Sequence, residues 1–489
     1  MGAMRTATPL LSLIATLVLA PALAFAQSAE DKMLRALLAA HGQTPLETSP
    51  FTVNAKYAFG QALFFDPVLS GAREVACATC HLPQRGTSDA QPIAVGVDGT
   101  RLGEHRLAGG RGLETPRNTP DVWNRGHPLV RNMFWDGRVA FDEEEIRKAR
   151  YYGREDVRLR VDSPMAGYIP DGVENLLAVQ ALFPVAGVDE MLGRPHDRSD
   201  RLLPDEHDDL PNELAQAAAG VEEPERFLRV HDALIARLFA PSFTEADYDE
   251  DGEAELKEWQ KAYRRLALAA YPDFTLHRLS IVEVANALAH FQKIAFATRN
   301  APWDAYLKGD DNAISGRAKA GALVFFGKGR CATCHSGPLF SDFEFHSLGV
   351  RQIGPGKNIS SDDLGRYHVT GDERDVYKFR TPPLRNVTMS APYFHDGVAV
   401  TLEAAIRHHN DPLNRAGAAY ADGTHSWNLG KRRSVSYILA GGLGLSDGDI
   451  ANLIAFLQTL EDDLDEFLPQ IVPESVPSGL PVAALYKQE

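Results

Sequence analysis

Two stretches, "ACATCHLP" at 76–83 and "RCATCHSG" at 330–337, contain all four cysteines of the chain, each arranged as Cys-Ala-Thr-Cys-His. Two thiols three positions apart can add to the two vinyl groups of one haem while the adjacent histidine reaches its iron. Cys77, Cys80 and His81 therefore read as one c-type haem site, and Cys331, Cys334 and His335 as a second. A zinc site would want further paired Cys or His, and a redox dithiol would want a βαβ setting; neither accompanies these pentapeptides. With every cysteine so used, no disulfide is expected.

The elements around these motifs repeat as well. A chain of 489 residues has room for more than one domain. The first haem motif is followed by "PRNTPDVWN" and "FWDGRVA", the second by "FRTPPLRN" and "YFHDGVAV". The simplest account is a mostly α protein with two tandem c-type cytochrome-like haem domains, over 27–300 and 301–468. Ser280 with Glu283 makes a capping box ahead of Ile281, Val284, Leu288 and Phe291; Ser446 with Asp449 does the same ahead of Ile450, Leu453, Ile454 and Leu457. Helices are expected before each haem motif, in "AKYAFGQALFFD" and in "SGRAKAGALVFFG", the latter stopped by Gly327. No hairpin series or strand alternation is visible. The charged stretch 193–213 reads as a surface excursion, and 469–489, with Pro469, Pro473, Pro477 and Pro481, as an extended tail.

The chain opens on "MGAMRTATPLLSLIATLVLAPALAFAQS": Arg5, an apolar run from Leu10 to Phe25, and the small-x-small triplet Ala24, Phe25, Ala26. This predicts a secretory signal over 1–26. Pro21 and the cleavage-like end argue against an uncleaved anchor, and no other apolar run is long enough to span a bilayer, so no stable membrane insertion is expected. A formal charge of −16 argues against general nucleic-acid binding, while leaving attraction to a basic protein partner open.

Together, "FFDPVLSGAREVACATCH", "FWDGR", "QALFPVAGVDEM", "GDERDVYKFRTPPLRNV" and "APYFHDG" resemble the bacterial di-haem cytochrome c peroxidase and MauG superfamily, from about Phe59 to about Leu460. The resemblance implies a periplasmic enzyme in which one haem meets hydrogen peroxide and the other stores or relays an electron. His81 would then be the proximal ligand of the peroxide-reacting haem. Gln180, Pro184 and Glu190 match the family's distal pocket, and Glu190 is expected to take a proton from one peroxide oxygen and return it to the other. Without that motif Glu190 would read as a solvated acid in a loop. Trp135, in "FWDGR", matches the tryptophan placed between the haems for electron transfer. The resemblance also implies calcium, held by the Asn118 side chain and the carbonyls of Ser390 and Pro392, an oxygen set that suits this ion.

Three departures from the family bear on sub-function. Trp135 and Gln180 are farther apart than is usual, so 142–172 reads as an insertion beside the first haem. Among residues after the first haem motif, His105 is the only nearby histidine that could cap the iron, and its setting matches poorly, so an open or loosely capped iron is expected. At the second haem the family's sixth-ligand position falls, in "TLEAAIRHHN", on His409; His408 points roughly 100° away around the helix. Met389, the only methionine past Cys334, is the rival, with His408 or an open site as further alternatives.

Apart from the family pattern, "DYDEDGEAELKE" fits a calcium loop, with Asp247, Asp249, Asp251, Glu253 and Glu258 as oxygen donors and Gly252 at the turn. Ala254 stands where a branched apolar residue is usual and no partner loop exists, so an ion site and a merely acidic loop both remain open. The expected whole is an oxidoreductase with two haem c groups and calcium that reduces hydrogen peroxide. Its electrons would come from a small cytochrome or copper protein, or from a residue of a partner protein in MauG-like protein oxidation. The alternative is a di-haem electron-transfer cytochrome without peroxide chemistry.

Overall fold

A computed structural model describes residues 28–110, 114–142, 159–161, 169–197, 211–240, 256–357, 362–414, 428–463 and 466–484. The expected signal segment lies outside them, as do Asp247, Asp249, Asp251 and Glu253 of the acidic loop. Glu258 is described: it is exposed at the start of helix Glu258–Ala270, with an oxygen 3.2 Å from Lys261 Nζ.

Among the described residues the protein is mostly helical. Strands are two or three residues long and antiparallel: Gly99–Thr100 with Leu107–Ala108, then Asn132–Met133, Val139–Phe141 and Leu159–Val161 side by side, and Phe345–His346 with Phe379–Arg380. The insertion beside the first haem motif thus adds a strand, Leu159–Val161, to a small sheet. No described helix is long and apolar enough to cross a membrane.

Two apolar cores organise the chain. One is built largely from residues between Leu46 and Phe296, the other from residues between Trp303 and Leu460. Each also takes in a terminus from the other side of the sequence, which the expected linear division did not anticipate. Leu34 and Leu38, on helix Ala29–Ala40, lie in the second core, and Ile471, Val472, Val476 and Leu480 lie in the first. Buried polar contacts fix both crossings. Asp31 accepts from Tyr306 Oη at 3.0 Å and faces Lys319 Nζ at 2.7 Å. Asp66, fully buried, accepts from Tyr263 Oη at 2.7 Å and from Ser478 Oγ at 2.6 Å. The proline-rich tail is therefore a packed segment, with a helical turn at Leu468–Ile471, and not simply an extended one.

The repeat seen in sequence returns as repeated geometry. Helix Ala55–Phe65, capped by Asn54, lies against Ile281–Ala295; Gly316–Phe326, capped by Ser315, lies against Asp447–Gln458. In both pairs a glycine permits the approach. A Cβ on Gly60 would collide with the Ala287 carbonyl and sit 2.7 Å from Phe291 Cβ; one on Gly321 would collide with the Asn452 carbonyl and sit 2.8 Å from Phe456 Cβ. "FWDG" and "FHDG" also turn alike: Phe134 and Phe394 have φ of +64° and +72°, Gly137 and Gly397 of +68° and +66°.

Candidate active site

Helix Cys77–Cys80 and its C-cap His81 open onto a cavity that is also lined by Gln180, Pro184 and Glu190. His81 Nδ1 lies 3.1 Å from the Thr87 carbonyl oxygen. That contact places the ring proton on Nδ1 and leaves the Nε2 lone pair for a metal. Burial depresses the imidazole's pKa and favours the neutral ligand form. Gln180 lies in the last turn of helix Leu176–Ala181, Pro184 begins a helical turn, and Glu190 lies in the π-helical turn Val188–Leu192. Gly96 allows that turn to come close, since a Cβ there would collide with the Asp189 carbonyl and sit 2.8 Å from Glu190 Cα.

Glu190 is open to the cavity but enclosed by protein, so desolvation raises its pKa; Arg138 opposes the rise and Asp189 adds to it. Arg138 also lines the cavity, its guanidinium 3.6 Å above the Phe134 ring and 3.1 Å from Asp136 Oδ2. His105 is exposed on the turn Gly103–His105 and does not reach this cavity. The other histidine in its wall is His368, whose Nε2 accepts from the Leu364 N–H at 3.2 Å.

A second cavity is lined by Cys331, Cys334, His335 and His409. His335 repeats the first pattern, with Nδ1 3.0 Å from the Phe340 carbonyl oxygen. Burial, and then the nearby His409, push its pKa down to about 4. His409, on helix Leu402–Asn410, has Nδ1 2.8 Å from the Ala405 carbonyl oxygen, so its Nε2 is the nitrogen left for a metal. His408 is fully buried on another face, with Nε2 2.8 Å from the Leu348 carbonyl oxygen. Met389 lines neither cavity and lies against Gly86 and the first core. His346, which no sequence motif marks, also lines the second cavity; its Nε2 lies 2.9 Å from Asp342 Oδ2, and that hydrogen bond raises its pKa. The donor chemistry fits haem in both places: paired thiols beside an imidazole whose Nδ1 is held by a backbone carbonyl.

Between the cavities stands a shared wall that includes Asn118, Trp135 and Arg380. Asn118 and Arg380 precede Thr-Pro in the two repeated motifs, "NTP" and "RTP", and each donates its backbone N–H across the halves. Asn118 N–H reaches the His395 carbonyl at 2.8 Å, and Arg380 N–H the Trp135 carbonyl at 2.8 Å. Trp135 Nε1 donates to the Asn118 carbonyl at 2.9 Å. Asn118 Nδ2 donates to the Gln91 carbonyl at 2.7 Å, which leaves Oδ1 as its outward acceptor. Ser390 and Pro392 line the second cavity together with Asn118. Arg138 and Arg380 carry no chemical motif of their own in the sequence; for Arg380 the correspondence with Asn118 within the repeat is the signal.

The family model for "Di-haem cytochrome c peroxidase" matches residues 54–312, more than half of the chain. The methylamine utilization protein MauG of Methylorubrum extorquens is 29% identical over 408 residues, covering 83% of this chain and 78% of that protein. The cytochrome c551 peroxidase of Pseudomonas aeruginosa is 26% identical over 347 residues, covering 71% and 69%. Among solved structures, a MauG-like protein associated with microbial copper homeostasis superposes with a TM-score of 0.53 at 22% identity, over 86% of this chain and 94% of the other, a likeness of fold.

Proposed function

From the premise that the chain belongs to the di-haem cytochrome c peroxidase family, we propose that hydrogen peroxide reacts in the His81 cavity and that the His335 cavity stores or relays the electron. Membership implies two haem c groups and an oxidoreductase of the peroxidase or MauG-like kind. Cys77, Cys80 and His81 would hold one haem; Cys331, Cys334, His335 and His409 would hold the other. When bound, they supply an iron for peroxide and one-electron storage.

The chain's own residues would do the rest. Glu190 moves a proton between the peroxide oxygens, and its raised pKa brings gain and loss of that proton closer to neutral pH. Gln180 and Pro184 shape the same wall. Trp135 bridges the two cavities, and Asn118, Ser390 and Pro392 hold calcium beside it. The likeness to MauG and to cytochrome c peroxidases supports electrons drawn from a partner protein's residue or from a small cytochrome or copper protein. The secretory signal expected over 1–26 supports a periplasmic location.

The observation that carries this reading is Glu190 facing the cavity of Cys77, Cys80 and His81. Glu190→Gln should retain both haems yet slow the reaction with peroxide by on the order of 10²-fold. Rapid-mixing absorption spectra check it. An unchanged rate removes Glu190 from the proton path, and a wild-type protein inert to peroxide favours an electron-transfer cytochrome.

A further inference from the structure

Arg380 is only 2% exposed and stands in the wall common to both cavities. Its Nε donates to the Phe134 carbonyl at 2.9 Å, while Nη1 has no hydrogen-bond partner. Three arginines near it are each paired with a carboxylate. Arg117 Nη1 lies 2.7 Å from Asp136 Oδ2 and its Nε 2.6 Å from Asp363 Oδ2. Arg125 Nη2 is 2.9 Å from Asp121 Oδ2, and Arg138 pairs with Asp136. Arg380 has no carboxylate at ion-pair distance among the described residues. Burial, and then the positive Arg125, disfavour its charge, and the more distant Asp121 and Asp136 carboxylates only partly offset them. A buried guanidinium with no carboxylate in contact and an unbonded Nη1 is costly to bury, so a site built this way calls for an anion from outside the chain.

Each haem carries two propionate carboxylates at one edge. We propose that Arg380 is a carboxylate clamp shared by the two haems, its guanidinium pairing with a propionate from each cavity. The proposal rests on the reading that both cavities hold haem. A guanidinium presents several donors in a planar fork, so one side chain can serve two carboxylates, which a lysine does less well. Its backbone fixes the fork in place through the N–H bond to Trp135. A positive charge close to two irons favours the reduced state of each, so one residue sets both potentials in the same direction.

The test is a spectroelectrochemical titration of the full-length holoprotein and of Arg380→Gln, with haem content measured as the pyridine haemochrome. Thioether attachment should keep two haems per chain in the variant. Both potentials should fall, each by about a tenfold change in the oxidised-to-reduced ratio at fixed poise, or about 59 mV for a one-electron couple. Two haems whose potentials are unmoved, or of which only one moves, would overturn the shared clamp. Should Arg380→Gln not accumulate, Arg380→Lys keeps the charge but gathers the donors on one nitrogen in place of the planar fork. Its resonance Raman spectrum should show shifted propionate bending bands for both haems, and unshifted bands overturn the proposal equally. Fewer than two haems in the wild-type chain would overturn the underlying reading and the clamp with it.

Discussion

His408 and His409 are neighbours in sequence, yet the helix turns them roughly 100° apart and gives them different surroundings. His408 is sealed in protein on the Leu348 carbonyl, while His409 faces the second cavity beside His335. Met389, the rival, is engaged with Gly86. If His409 is the sixth ligand, electron paramagnetic resonance of the ferric protein should show one low-spin signal of bis-imidazole type and one high-spin or weakly ligated haem. His409→Ala should convert only the low-spin signal. A methionine charge-transfer band that survives the substitution would rule the assignment out. The Cys-x-x-Cys-His pairs were legible because the motif is local, whereas His409 was singled out only by its match to the family's sixth-ligand position. For Arg380 the repeat signals only its position beside Thr-Pro; what marks its chemistry is a missing counter-ion, and that depends on carboxylates far away in the chain.

Helices that begin with a capping residue and carry an apolar stripe were equally legible: Ser280 and Ser446 cap as expected, and Gly327 ends Gly316–Phe326. What local pattern could not show is which helix meets which, since that depends on close approach between distant segments. Gly321 illustrates it. Gly321→Ala would drive a methyl into the Asn452 carbonyl and Phe456, forcing Gly316–Phe326 away from Asp447–Gln458. Overpacking of this kind typically costs 1–3 kcal/mol, so thermal unfolding should shift down by several degrees. Gly316→Ala, at the start of the same helix with nothing within 4 Å of the added carbon, is the matched control and should not lower the midpoint. Equal melting of both variants would mean that the helix pair yields without cost.

At the scale of the molecule, the two halves are tied in several places. The N-terminal helix enters the second core and the tail enters the first, contacts that no local pattern announces because each joins residues hundreds of positions apart. The paired backbone bonds from Asn118 and Arg380 add a central link. The calcium proposed at Asn118, Ser390 and Pro392 would therefore not be needed to hold the halves together. Its effect should be local: Asn118 supplies the carbonyl that holds the Trp135 indole, so freeing its side chain loosens the residue bridging the cavities. Chelation should accordingly slow electron exchange between the haems, read by stopped-flow and by the potentials, while leaving helical content and haem attachment in place. Asn118→Ala should reproduce the chelated state. Identical potentials and peroxide reactivity with and without the ion would defeat this role, and collapse of the fold on chelation would defeat the argument that the exchanged termini suffice. The number of ions released carries a further result: two per chain would assign the second to the loop ending at Glu258, and one would leave that loop merely acidic.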